Sequence, residues 1–236
     1  MDELAIILHH RTHGWATPGR SVFPLSKVQA VVFNGPAGHL EGILKFDPKF
    51  GSPKLAVVCH PHPLYHGTMH NKVVYAVASA LFEAGCIVLR FNFRGVGLSE
   101  GRHDNGRGEI EDTLAAIRFL KERYPALSCL VAGFSFGAWM ALEAARRDPL
   151  LISVILVAPP LTYFDSTILA DLATSKLFLQ GTDDEICNLE TLQSLFPSFA
   201  GPKDLVLLRG AGHFFNGQLT ELKAEILAKR GFLGIT

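Results

Sequence analysis

From Leu55 onward the chain alternates between two textures. Six short runs are apolar almost without interruption: LAVVCH (55–60), CIVLRFNF (86–93), CLVAGFS (129–135), SVILVAP (153–159), KLFLQG (176–181) and DLVLLRG (204–210). Runs that lack polar alternation are the pattern of strands covered on both faces, and such strands belong to parallel sheets. The segments between them carry helical spacing instead. In GEIEDTLAAIRFLKERYP, Ile110, Leu114, Ile117, Leu120 and Tyr124 fall on one stripe while Glu111, Arg118 and Lys121 lie off it. The segment before CIVLRFNF ends at Gly85, where a left-handed helix cap fits. Upstream, KVQAVVFNG and LEGILKF flank NGPAG and predict an antiparallel hairpin.

The predicted fold is therefore α/β: a doubly wound, mostly parallel sheet of about 7–8 strands, with helices on both faces, right-handed crossovers and an N-terminal hairpin. Residues 1–24, centred on HHRTHGWATPGR, have no periodicity and read as an irregular extension, leaving residues 25–236 as one domain. Only PLTYFDSTILADLATS separates SVILVAP from KLFLQG, which is room for a short helix and not for a cap domain.

Composition narrows the function classes. The 236 residues are 48% apolar, enough for one large core, and 22 basic residues balance 22 acidic ones without a long block of either sign. That balance argues against nucleic acid or an anionic membrane as partner and for a small, uncharged molecule. The oligomeric state is open. Cys59, Cys86, Cys129 and Cys187 are widely spaced, and the first three sit in or beside strand-like runs. They read as buried hydrophobes in a reducing compartment. The start MDELAIILHH lacks the basic residues of a signal peptide, and no apolar run reaches roughly 18 residues, so the expected location is cytoplasmic.

The chemistry centres on VAGFSFGAW. Ser135 stands between Gly133 and Gly137 where CLVAGFS gives way to the Ala-rich text FGAWMALEAARRD, a strand-to-helix junction. A serine held above a sheet at such a turn needs an unfavourable backbone conformation, and side chains at 133 and 137 would collide with neighbouring elements. A phosphate-binding βα turn competes weakly, because it wants three glycines after the first strand. A serine hydroxyl needs a base, and the base an orienting acid. Both stand further along: Asp183 and Asp184 after KLFLQG, and His213 after DLVLLRG.

Taken in order, GFSFGA, GTDDEI and GAGHFF resemble the elbow, acid and histidine turns of the α/β-hydrolase superfamily. FNFRGVGLSEG is similar to its Asp-x-Arg-Gly-x-Gly-x-Ser loop, with Asn92 at the acidic position. HPHPLYHGTMHNKVV resembles small lidless bacterial serine hydrolases, related to dienelactone-hydrolase-like proteins, that carry His-Pro-His-Pro at the oxyanion strand. The resemblance covers nearly everything from about residue 27 to the end. It implies catalysis by Ser135, Asp184 and His213, the superfamily's Gly-x-x-Asp-x-x-Val turn favouring Asp184 over Asp183. It also implies oxyanion donors in the amides of Phe136 and His62, with Leu64 as the fallback because Pro61 and Pro63 have no N–H. The expected substrate is a small-molecule ester or thioester, with no metal or cofactor. Pocket candidates are Leu64, Tyr65, Trp139, Leu161, Tyr163 and Phe214, beside Phe136. Where relatives have glycine this chain has His66, which narrows the loop entrance.

Two other readings compete. His60, His62, His66 and His70 suggest a metal-dependent hydrolase, but no carboxylate or cysteine stands near and the prolines restrict convergence. A catalytically silent binding module on the same fold is disfavoured by the presence of all three triad residue types. Arg94 is expected to tie backbone carbonyls, Cys187 to pack, and RHDNGRGEIED to form a loop and helix start in which His103 or Asp104 borders the site.

Overall fold

The computed structural model describes residues 26–235, so the expectation for residues 1–24 lies outside the described residues. Strands β1 (Lys27–Gly35) and β2 (Gly38–Phe46) form the hairpin, joined through Pro36 and Ala37, with Gly35 opposite Gly38. The remaining strands are β3 (Lys54–Cys59), β4 (Cys86–Phe91), β5 (Cys129–Phe134), β6 (Leu151–Val157), β7 (Ser175–Gly181) and β8 (Lys203–Leu208). They lie in one eight-stranded sheet in the order β1-β2-β4-β3-β5-β6-β7-β8. β2 pairs antiparallel with β1 and β4; from β4 onward every pairing is parallel.

The helices are α1 (Lys72–Glu83), α2 (Arg107–Arg123), α3 (Phe136–Arg147), the one-turn α4 (Ile168–Asp171), α5 (Leu189–Leu195) and α6 (Leu219–Ala228). Alternation along β3 shows why its run needs no polar positions. Leu55, Val57 and Cys59 enter the core under α2 and α3, while Ala56 and Val58 enter the core under α1 and α6. Each fully buried Val or Leu contributes about 1.5–3 kcal/mol, so a strand sealed on both faces anchors the sheet centre.

The structure trims two apolar runs. β4 stops at Phe91 because the Phe93 amide donates to His60 Nε2 and not to a neighbouring strand. β6 stops at Val157, since Ala158 turns to φ 46° and Pro159 and Pro160 have no N–H to donate. α5, which the apolar pattern did not announce, starts at Asn188, whose side chain accepts the Thr191 amide. Between β6 and β7 only α4 intervenes, so nothing the size of a cap domain enters there. Among the described residues no helix is long and apolar enough to cross a membrane.

Candidate active site

Ser135 ends β5 and caps α3 with φ 55° and ψ −122°, a region costing a non-glycine residue about 1–3 kcal/mol. The strain is held in place by its neighbours. The Ser135 amide donates to the Val157 carbonyl at 2.9 Å, and the Ala138 amide to the Ser135 carbonyl at 2.8 Å. A Cβ on Gly133 would stand 2.0 Å from the Gly137 carbonyl oxygen, and one on Gly137 would stand 2.4 Å from that of Cys59. Both glycines are required because α3 and β3 approach the turn backbone to backbone.

His213 lies beyond β8 and Asp184 beyond β7, so three parallel crossovers bring Ser135, Asp184 and His213 to the carboxyl edge of the sheet. His213 Nε2 is 3.1 Å from Ser135 Oγ, and Nδ1 is 3.0 and 3.1 Å from the two Asp184 oxygens. Asp183 faces away and accepts the Thr182 hydroxyl. Asp184 Oδ1 also accepts the amides of Ile186 and Cys187 at 2.9 and 2.7 Å, and Oδ2 accepts Gln180 Nε2 at 2.9 Å. Burial alone would raise the carboxyl's pKa, but the His213 bond and the Cys187 and Ile186 amides outweigh it and hold the group below the ordinary carboxylate value. A fixed anion behind an imidazole whose far nitrogen meets a hydroxyl is the arrangement in which that hydroxyl loses its proton.

Gln180 was not singled out in the sequence. It occupies a strand position with 1% exposure, and a buried amide near a strand's carboxyl end, four residues before the acid, was the signal available. Cys187 sits against the same carboxylate; burial and the Asp184 charge push its thiol pKa up, so it stays protonated and packs.

Two amides beside Ser135 and β3 are free of protein acceptors among the described residues. They belong to Phe136, which opens α3, and to His62, in the loop after β3. The fallback donor is engaged, since the Leu64 amide donates to His62 Nδ1 at 3.2 Å. His66 takes φ 60°, the left-handed backbone that makes glycine the expected residue there.

Ser135 and His213 open into a cavity of about 500 Å³, walled by Tyr65, Phe136, Trp139, Tyr163, Ile186 and Phe214, with His62, His66 and His103 at its polar side. Two expected wall residues are elsewhere. Leu64 is 68% exposed to solvent outside the cavity, because the short helical turn 63–65 presents it outward. Leu161 is buried in the core beneath the site, joining Leu169 and Leu172. A second hollow of about 730 Å³, between the end of α3 and residues 167–175, opens at the amino ends of β6 and β7, away from Ser135.

The histidine loop does not converge on a metal. His60 is fully buried, with Nδ1 donating to the Pro61 carbonyl at 2.6 Å and Nε2 accepting from Phe93, and burial lowers its pKa to about 4. Among the described residues, His, Cys, Asp and Glu side chains gather three at a time only at Asp184, Cys187 and His213. There the imidazole and carboxylate already bond each other. Arg94 is structural by a different route from the one expected. It makes paired bonds to buried Asp112 at 2.9 and 2.7 Å in place of tying carbonyls. Asn92 uses both halves of its amide, accepting from the Met69 amide and donating to Glu41, which an aspartate there would not do.

Comparison with known proteins places this geometry. Residues 56–170 match the family described as serine aminopeptidase, S33. The structure of an α/β serine hydrolase homologue from Coxiella burnetii is 38% identical, with TM-score 0.82 over 85% of this chain and 96% of that one. XC6422 from Xanthomonas campestris, described as an α/β serine hydrolase without lid, is 33% identical with TM-score 0.81 over 90% and 97%. Esterase EstD of Thermotoga maritima is 29% identical over 190 residues, which are 78% of this chain and 45% of that protein. With its eight-stranded sheet, its strained serine turn and these relatives, the chain belongs to the α/β-hydrolase superfamily and is a hydrolase.

Proposed function

We propose that the protein hydrolyses carboxylic esters or thioesters through an acyl-enzyme on Ser135. The observation that carries the reading is the single row Ser135 Oγ, His213 Nε2, His213 Nδ1, Asp184, with spacings of 3.0–3.1 Å, on a turn strained enough to lift the hydroxyl from the sheet. As Oγ attacks the substrate carbonyl, His213 takes its proton and Asp184 stabilises the imidazolium. The developing oxyanion meets the amides of Phe136 and His62, the first reinforced by the positive end of α3. Collapse expels the alcohol or thiol with the proton returned by His213; water then repeats the sequence on the acyl-enzyme. Groups of this chain carry every step.

Esters are favoured over N-terminal peptide substrates by the cavity wall. Among the described residues no Asp or Glu lines it to meet an α-ammonium group. The four free cysteines, all buried, support a reducing compartment such as the cytoplasm. The test is hydrolysis of short-chain 4-nitrophenyl esters by the wild type, Ser135→Ala and His213→Ala. Activity in the wild type that falls at least about 10³-fold in both variants supports the reading. Equal rates in all three proteins overturn it in favour of a binding module.

A further inference from the structure

His60, fully buried just past the end of β3, has both ring nitrogens engaged. The partner of Nε2, at 3.0 Å, is the Phe93 amide, which can only donate. The partner of Nδ1, at 2.6 Å, is the Pro61 carbonyl, which can only accept. Together they admit one state of the ring: neutral, with its proton on Nδ1. Burial holds the ring in that state by lowering its pKa to about 4. Phe93 packs on this ring with centroids 4.6 Å apart and stands edge-on to Phe136 at 5.9 Å.

The Pro61 carbonyl and the His62 amide belong to one peptide unit, and the bond between them is trans. A trans peptide unit is planar, with its C=O and N–H pointing in opposite directions, so fixing the carbonyl fixes where the N–H aims. A hydrogen bond to the carbonyl also polarises the unit and strengthens its N–H as a donor. The neighbouring backbone leaves the unit little room to turn. A Cβ on Gly67 would stand 2.0 Å from the Pro61 oxygen, and the His62 carbonyl accepts the amides of Tyr65 and Gly67, each at 3.1 Å. On the other flank, a Cβ on Gly137 would stand 2.6 Å from the His60 carbonyl oxygen. The His62 amide alone in this stretch is left without a protein acceptor among the described residues, and His62 lines the cavity with Ser135 and Phe136.

We propose that His60 is a positioning residue for the oxyanion: its Nδ1–H, acting through the Pro61 carbonyl, aims and strengthens the His62 amide toward the charge that develops on the substrate. The inference rests on the serine-hydrolase reading above. His60 does not line the cavity, so it acts only through that peptide unit. The Phe93 amide contributes separately, by holding the tautomer and tying the end of β3 to the end of β4.

The two bonds can be tested apart. Asn places its side-chain N–H where Nδ1 stands, so His60→Asn keeps the donor to Pro61 and loses the acceptor for Phe93. Gln places its oxygen near Nε2, so His60→Gln does the reverse. Each variant leaves one buried backbone group unpaired, and both should melt below the wild type. Their kinetics on 4-nitrophenyl butyrate should part: kcat falls about 10²-fold in His60→Gln with KM within about threefold, and stays within about fivefold of the wild type in His60→Asn. The Ki of an aryl trifluoromethyl ketone, which forms an oxyanion on the serine, should rise with the loss in kcat. Equal kcat losses in the two variants, or a loss carried by KM, overturn the proposal and leave His60 a brace of the fold. The wild type supplies a reading that needs no variant. In nitrogen NMR of isotope-labelled histidine, the His60 ring, assigned through its proximity to the Phe93 amide, should carry its proton on Nδ1, and that proton should move downfield when the ketone binds. A proton on Nε2, or an Nδ1 proton unmoved by the ketone, overturns the proposal as well. Labelling by a fluorophosphonate separates the two levels: a labelled wild type with indistinguishable variants sinks only the role of His60, whereas an unlabelled wild type sinks the serine mechanism beneath it.

Discussion

Replacing Gln180 with Leu removes the one side-chain donor among the described residues, apart from His213, that reaches Asp184. Gln180 Nε2 makes two good bonds at 2.9 Å, to Asp184 Oδ2 and to the Cys187 carbonyl. A hydrogen bond to a charged group is worth about 1.5–3 kcal/mol, and a buried carbonyl left without a partner costs about 1–3 kcal/mol. The leucine returns part of this by burying more apolar surface, so the net loss is about 2–4 kcal/mol, or a fall in melting temperature of about 5–15 °C for a chain of this size. Activity should suffer less. Asp184 keeps the amides of Ile186 and Cys187 on Oδ1 and its bond to His213, so the imidazole stays oriented. A loss of about tenfold in kcat is expected, against about 10⁴ for Asp184→Asn, which donates where it should accept.

The sign of the pH effect follows from Asp184's lowered pKa. A carboxyl depressed in the folded state stabilises above its unfolded pKa, and that stability is lost as pH falls through the folded one. Removing a donor raises the folded pKa, so Gln180→Leu should unfold in acid at a higher pH than the wild type. Thermal melts from pH 7 down to pH 3, with kcat on 4-nitrophenyl butyrate, measure all three effects. An unchanged melting temperature, or a kcat loss as large as that of Asp184→Asn, refutes the reasoning.

Two further outcomes are expected. Gly137→Ala places a methyl 2.4 and 2.6 Å from the Cys59 and His60 carbonyl oxygens, so it should lose soluble expression or nearly all activity, read by yield and ester hydrolysis; a well-folded, active Gly137→Ala would contradict the close approach of α3 to β3. Lys176 is buried and bonded to the Leu172 and Thr174 carbonyls, and burial lowers its pKa to about 8. The unfolded chain therefore holds the extra proton between about pH 8 and 10.5, stability contributed by this group rises across that window, and Lys176→Met should flatten the rise in urea titrations.

The sheet was legible because strands buried on both faces leave unbroken apolar text, as LAVVC does in becoming β3. What the text hid was where backbone amides turn to side chains: Phe93 looks like strand and is not, since His60 takes its amide. The turns that carry Ser135 and Asp184 contain glycines whose need is steric, at 133, 137 and 181, whereas at the turn of His213 Gly210 is set by its φ of 72°. The cavity wall was less legible. Leu64 and Leu161 have wall-forming chemistry, but one sits on a turn that faces solvent and the other faces the core, and spacing along a loop does not encode that choice. His103 Nδ1 stands 2.8 Å from Glu109 at the start of α2, a contact that only the fold creates.

The most direct test of the central claim is the site of covalent labelling. Wild-type protein treated with a fluorophosphonate and digested should carry the adduct on the peptide containing Ser135, with labelling abolished in Ser135→Ala and strongly slowed in His213→Ala. An unlabelled wild type, an adduct on another residue, or equal labelling of Ser135→Ala would contradict it.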